Sequence, residues 1–352
     1  MADFREQGLD KIVQSSIKNE NTRAIFYEIV SARKNAISRA EIAKKTELSL
    51  MTVGKVADSL IARGVVSQAK PATGNAGRRA GLLTVSDSLF MLIADVSGEI
   101  FRASVFTLTL DEIDSLTYAY NDSLFPEDNL TLFFRETASL LMKHLREKTM
   151  IGSAISVSGY YDAESDAVSG EGSRLEGAKI ASTMRASLGF SPDKIMNKTD
   201  AAASSLVSEP GVRRSPSALA ILLGDSISGR LITNGKLFPA RSDFSALISP
   251  DGSRLSSVFS GAVSAPINEE KARELAATLL LAIEPLIRVL CPTHVFICSE
   301  NKMLGAAFET ALEDISKNLR TDASILFEAS KESRCSLGIA ELLLAEKINE
   351  II

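Results

Sequence analysis

The segment Ser38–Gly64, SRAEIAKKTELSLMTVGKVADSLIARG, constrains this chain more than any other, because start, stop and spacing signals for two short helices crowd into it. Ser38 and Glu41 form S-x-x-E, a capping box in which each side chain satisfies the other residue's free backbone N–H, so a helix starts at Ser38. Ile42 and Ala43 stand against polar Arg39, Lys44 and Lys45, and the pattern breaks at Glu47-Leu48-Ser49, where Ser49 can cap a second helix. Gly64 suits the left-handed position that ends it. Val53, Val56, Leu60 and Ile61 recur at helical spacing and face a core, leaving Met51, Thr52, Lys55 and Ser59 on the other side. Two short helices and a tight turn, with small polar and basic residues on the second, match the geometry that lays a recognition helix in the major groove. A plain helical hairpin with solvated lysines satisfies the same segment.

The flanks favour the first reading. Ile25, Phe26, Ile29 and Val30 within Asn21–Ala32 supply a third amphipathic helix. Val65-Val66 starts a strand with which Leu82–Val85 can pair, and the Gly-rich basic loop Lys70–Arg79 between them has the composition of a wing beside phosphates. Duplex contacts are therefore expected from Ser49, Met51, Thr52, Lys55, Ser59, Lys70, Arg78 and Arg79. Charge agrees: residues 1–85 carry 14 Lys and Arg against 8 Asp and Glu, a net of +6, leaving −11 for the rest of a chain whose total is −5. Only one end attracts a polyanion.

A chain of 352 residues with 45% apolar residues implies two or three domains with ample core. Met1–Glu20 is too polar for a signal peptide and reads as an arm or an extra helix carrying Ile12, Val13 and Ile17. The longest apolar run, Leu275–Ile283, stops at Glu284, far short of the roughly 20 residues of a membrane span. Cys291, Cys298 and Cys335 form neither an even framework nor a C-x-x-C pair, so a reducing compartment and a cytoplasmic location are expected.

From Ser88 the pattern becomes α/β. Leu89–Asp95 reads as a buried strand, Phe101–Leu110 as a second, Asn129–Glu147 as a long amphipathic helix and Met150–Ser158 as a further strand. His144 on the apolar stripe of that helix reads as core.

A winged helix followed by such a sheet resembles the ROK family of repressors and sugar kinases, and the resemblance runs from Asn21 to the C-terminus. It implies a two-lobed ribonuclease H-like (actin-like) domain with a D-x-G-x-T phosphate loop, an N-D-A-N-A-A-A segment holding sugar contacts and the catalytic base, a G-T-G-x-G loop, a G-E-I-G-H sugar and zinc motif and a cysteine-rich zinc loop. Here Asp95-Val-Ser-Gly98-Glu99 stands at the first, with a carboxylate where phosphate should be welcomed. Asn197-Lys198-Thr199-Asp200-Ala-Ala-Ala203 matches the second, putting Lys198 at the place of the base; a lysine near its usual pKa of about 10.4 cannot accept a proton. Asp200 reads as the N-cap before Ala201. Gly224-Asp225-Ser-Ile-Ser-Gly229 keeps the terminal glycines of the third, and Arg230–Leu237 continues as a hairpin turning at Asn234-Gly235. Leu247 and Pro250 replace the sugar-binding glutamate and the histidine shared with zinc, and residues 251–260 contain no cysteine. Cys291, His294 and Cys298 read as core packing around a buried strand, His294–Cys298.

These departures imply a lost kinase activity, no cofactor and no metal. The resulting expectation is a DNA-binding transcriptional regulator, a repressor, with domains at 1–86, 87–199 plus 337–352, and 200–336. An effector cleft is expected at Asp95, Gly98, Arg174, Asn197, Lys198, Asp200, Gly224 and Asp225, taking a sugar or sugar phosphate, with Arg174 and Lys198 favouring an anion. Reading a palindromic duplex requires a homodimer or a dimer of dimers, with the apolar helix Glu269–Leu290 as core or interface. An atypical sugar kinase and a ligand-independent DNA-binding protein are the alternatives.

Overall fold

A computed structural model describes residues 20–32, 35–68, 81–170, 173–207, 212, 216–223, 227–238, 244, 247–262, 267–299, 304–319, 321–329 and 334–351. The expected wing loop, Lys70–Arg79, lies outside them, as does the N-terminal arm before residue 20.

Helix α1 (residues 20–31) precedes β1 (Ile37–Ser38), α2 (Arg39–Thr46) and α3 (Leu50–Ala62), and β2 (Val66–Gln68) and β3 (Leu82–Val85) close the domain. The two helical start signals do what their chemistry dictates. The Ser38 hydroxyl accepts the Glu41 N–H at 3.1 Å while the Glu41 carboxylate accepts the Ser38 N–H at 2.9 Å, and Ser49 accepts the Thr52 N–H at 3.1 Å. Glu41 is held below the usual carboxylate range by its Ser38 hydrogen bonds. Ile25, Phe26 and Ile29 from α1, Ile42 from α2, and Val53 and Leu60 from α3 are all buried, so the third helix does cover the other two. The sequence did not suggest β1, which pairs with β3 to make a three-stranded sheet in the order β1-β3-β2.

The remainder holds two five-stranded sheets. The first comprises β4 (Leu89–Asp95), β5 (Ile100–Thr107), β6 (Glu112–Ala119), β7 (Thr149–Val157) and β10 (Lys194–Asn197); β8 (Tyr160–Asp162) and β9 (Ala167–Ser169) form a separate hairpin. The second comprises β11 (Ser217–Leu223), β12 (Ile227–Thr233), β13 (Lys236–Leu237), β14 (His294–Ser299) and β15 (Ser324–Ala329). Both share one topology. Three antiparallel strands, β4-β5-β6 and β11-β12-β13, are extended on the side of the first by two parallel ones, β7-β10 and β14-β15.

Helices α4 (Pro126–Leu145) and α5 (Ile180–Leu188) pack together beside the first sheet, and α7 (Leu255–Ala262), α8 (Glu269–Leu290) and α9 (Gly305–Ser316) cover the outer face of the second. Between the sheets lie α6 (Lys198–Val207) and α10 (Arg334–Ile351), in contact with each other. Strand alternation sorts the side chains: Phe90 and Leu92 point to the outer core and Met91 and Ile93 to the middle one; likewise Leu219 and Ile221 point outward and Ala218 and Ala220 inward. The middle core is continuous with that of the N-terminal domain, one buried cluster running from Ile25 and Leu83 to Ala201 and Leu343.

Several sequence expectations are corrected. Asp200 is not the N-cap: α6 begins at Lys198, and the Thr199 N–H donates to Asn197 Oδ1 at 2.7 Å, so Asn197 takes that role. The inferred lobe boundary at 199/200 therefore falls inside a helix. Phe101–Leu110 is one strand only as far as Thr107, since Leu110 has φ 64° and turns the chain into β6. His144 is only partly buried and bonds Asp114 Oδ2 through Nε2 at 2.9 Å, beside Phe90. Cys298 is buried in β14, whereas Cys291 is exposed at the left-handed C-cap of α8. No described helix is long and apolar enough to cross a membrane.

Candidate functional site

On the N-terminal domain, α3 presents its N-terminal half outward. Met51 is 70% and Leu50 59% exposed, Lys55 and Ser59 are exposed and Thr52 partly so, while Ser49 caps the helix. Arg39 of α2 bonds Asp58 of α3 at 2.7 Å, an exposed link between the two helices. Three of the expected contacts, Lys70, Arg78 and Arg79, lie outside the described residues.

Between the two sheets, where β7 and β10 end, opens a cavity of about 510 Å³. Its floor is polar and already connected. Asn197 donates through Nδ2 to the Gly159 carbonyl at 2.6 Å while its Oδ1 caps α6. Thr199 and Ser228 share a hydroxyl hydrogen bond at 2.7 Å, tying α6 to β12. Asp200 accepts two hydrogen bonds from Arg230, at 2.5 and 3.1 Å, and is the single carboxylate among the described lining residues. Tyr160 and Tyr161 line one wall. Tyr161 donates to Asp166 at 2.8 Å; burial and that bond push its phenol upward, and although burial opposes it, hydrogen bonds from Ser182 and Ala181 keep Asp166 below the usual carboxylate range. At Gly159 a side chain would meet the Ser169 carbonyl at 2.7 Å, and φ is +98°, so this tight approach of β8–β9 to the cavity requires glycine.

Of the expected cleft residues, Asn197 and Asp200 line this cavity; Asp95, Gly98, Arg174 and Lys198 are not among its lining residues, and Gly224 and Asp225 lie outside the described residues. Asp95 Oδ1 accepts from the Ser97 N–H and hydroxyl, closing its own turn. Arg174 is bound by Glu99 at 2.7 Å and by Asp122 and lies over the Tyr120 ring, so the Glu99 carboxylate is matched by a cation. Lys198 is 4% exposed at the first position of α6. The cation that does line the cavity, Arg230, has no local sequence signal, because its partner lies 30 residues away on another element. Leu247 is partly buried against the second sheet's outer core, and Asp251 is held down to about 2 by hydroxyl hydrogen bonds from Ser249 and Ser253.

No protein-family model matches the sequence, and no curated protein matches it. Solved structures do. A ROK-family transcriptional regulator, a homolog of the Escherichia coli MLC protein, superposes with a TM-score of 0.69 at 14% identity, covering 95% of this chain and 98% of its own. A ROK-family glucokinase from Streptomyces griseus, in complex with glucose and AMPPNP, gives 0.56 at 13% identity over 72% of this chain and 98% of its own. A ROK-family protein from Streptococcus pneumoniae in complex with sucrose gives 0.51 at 15% over 74% and 98%. With its helical N-terminal domain and its pair of like-wound sheets, the chain thus carries the ROK-family fold along almost its whole length.

Proposed function

We propose that this protein is a DNA-binding transcriptional regulator of the ROK type, a repressor, in which the inter-sheet cleft senses a small molecule and does not phosphorylate it. The observation that carries the reading is the coverage of the likenesses. A glucokinase and a sucrose-bound ROK-family protein use almost their whole length to match only 72% and 74% of this chain, whereas the regulator matches 95% of it. The share matched by the regulator and not by the glucokinase, 95% against 72%, is close in size to residues 1–85, which hold the helices and small sheet of the N-terminal domain. The basic excess of residues 1–85 supports the same conclusion, since a duplex is a polyanion and the rest of the chain repels it.

Two features of the cleft weigh against phosphoryl transfer. Where the resemblance implies a catalytic base, Lys198 stands in place of a carboxylate and is not among the residues that line the cavity. The single lining carboxylate, Asp200, is held by a forked Arg230 pair, whose positive charge favours the ionised form and makes it a weaker proton acceptor. With the lining cation Arg230 engaged by Asp200, the cleft suits a neutral polyhydroxy ligand such as a sugar better than a sugar phosphate, and two tyrosines stand on its wall. One α3 reads too few base pairs for useful specificity, so two copies are expected on a palindrome.

The test is fluorescence anisotropy with labelled duplex from the protein's own upstream region. Affinity is expected to fall steeply between about 50 and 200 mM salt, as phosphate contacts release counterions. Lys55→Ala is expected to weaken it by about 1–3 kcal/mol at unchanged melting temperature, since Lys55 is exposed on α3 and packs into nothing. A protein that ignores duplex at low salt while consuming ATP in a coupled assay with hexoses would overturn the reading.

A further inference from the structure

A second cavity, of about 590 Å³, lies where three parts of the molecule meet. Tyr27, Val30 and Ser31 of α1 form one wall; the turn after β5 contributes Leu110; the β12–β13 hairpin contributes Lys236 and Leu237; and Val207 of α6 and Ile348 of α10 close it from the middle layer. A molecule in it would touch the N-terminal domain, the first sheet's loop and the second sheet's hairpin at once. The lining differs in character from the polar cleft. Aliphatic side chains outnumber the polar ones among the described lining residues, and Ser31, Thr109 and Ser204 supply only small hydroxyls. The side chains of Tyr27, 51% exposed, and exposed Lys236 have no hydrogen-bond or ion-pair partner among the described residues, while Glu341, which also lines the cavity, has a partner of its own.

We propose that this junction binds a small amphiphilic carboxylate, its hydrocarbon or aryl body against Val30, Leu110, Val207 and Ile348 and its anionic end at Lys236, and that binding shifts the N-terminal domain relative to the sheets. The volume falls within the roughly 300–1,000 Å³ of small-molecule sites, which favour domain junctions and combine an apolar wall with few polar groups. A lysine without an internal partner supplies the charge that fixes orientation, and the Tyr27 hydroxyl supplies a second donor from the other domain. Because the buried cluster is continuous from α1 to α6 and α10, a ligand that fits one arrangement of the walls better than another biases the whole arrangement by its difference in affinity. The coupling to duplex rests on the proposed regulatory function; the binding does not.

The experiment is titration calorimetry of the full chain with hexanoate and 3-phenylpropionate against hexanamide and 3-phenylpropionamide, followed by duplex anisotropy at saturating carboxylate. The carboxylates are expected to bind about tenfold more tightly than the amides, a difference that Lys236→Gln removes. Ser31→Trp, at an exposed position on the cavity wall, is expected to abolish binding of all four at an unchanged melting temperature; should that variant melt early, the Lys236→Gln comparison decides. Duplex affinity is expected to change at least about fivefold with carboxylate bound. The proposal is overturned by no heat from any probe at millimolar concentration, by binding that Lys236→Gln leaves unaltered, by binding that leaves duplex affinity unmoved, or by binding seen only after removal of residues 1–19, which would give the cavity to the chain's own N-terminus. Absence of duplex binding with and without probe would instead remove the regulator reading and leave the site to be judged by calorimetry alone.

Discussion

Gly338→Ala is expected to destabilise the protein by about 3 kcal/mol or more, read as a lowered denaturant midpoint, because a Cβ at this position would stand 1.8 Å from the Ala201 carbonyl oxygen and 2.9 Å from the Ser205 amide nitrogen. Neither neighbour can swing aside, since both are backbone atoms of α6. The two helices must separate, and they are the layer shared by both sheets, so the disturbance reaches the cleft floor at Asp200 and the junction cavity at Val207 together. Gly54→Ala provides the control. It is also inside a helix, α3, but nothing lies within 4 Å of where its Cβ would be. There the substitution is expected to stabilise by about 0.5–1 kcal/mol, the ordinary gain from removing a flexible residue from a helix. Equal effects from the two glycines would mean that α6 and α10 do not cross as closely as described.

Arg230→Met is expected to cost about 2–3 kcal/mol. The guanidinium side chain is 10% exposed and the Asp200 side chain 28%, so removing the cation leaves a largely desolvated carboxylate facing the cavity with its forked partner gone. Combining it with Asp200→Asn is expected to recover most of the loss, because an amide in that place carries no uncompensated charge. A double-mutant cycle on the unfolding free energy separates this from lost packing: additive losses would show that the pair contributes nothing as a pair. The same cycle bears on function. The Asp200–Arg230 pair joins α6 to β12 and lines the cleft, so effector affinity should fall in the single variant and stay reduced in the double even as stability recovers.

The parts that were legible in the sequence are those whose partners lie close along the chain. The Ser38–Glu41 box, the Ser49 cap, Gly64 and the Asn234-Gly235 hairpin each depend on residues within four positions, and each adopts the expected geometry, Asn234 and Gly235 both having positive φ. Helix α8 was readable for the same reason, its buried face repeating through Leu275, Leu279 and Ile283 to the bounds expected. Asp200 misled because two local readings competed: Asn197, three residues earlier, is an equally good cap and took the helix start, freeing Asp200 for a distant arginine. β6 escaped notice as an edge strand exposed in part on both faces, without the apolar run or clean alternation that marks a strand.

What the sequence alone determined was a cationic, helical head joined to an acidic α/β body, and the absence of cysteine, histidine and glutamate from the positions where the resemblance implies zinc and sugar ligands. Only the tertiary structure decided that both sheets share one winding, that a glycine at 338 is a contact rather than a weakness, that Arg230 occupies the cleft's carboxylate, and that a cavity forms where α1 meets the hairpin of the second sheet. The reason is range. Caps, turns and helical stripes are settled by neighbours a few bonds apart, whereas helix crossings, cross-element ion pairs and voids arise between segments that meet only when the chain has closed on itself.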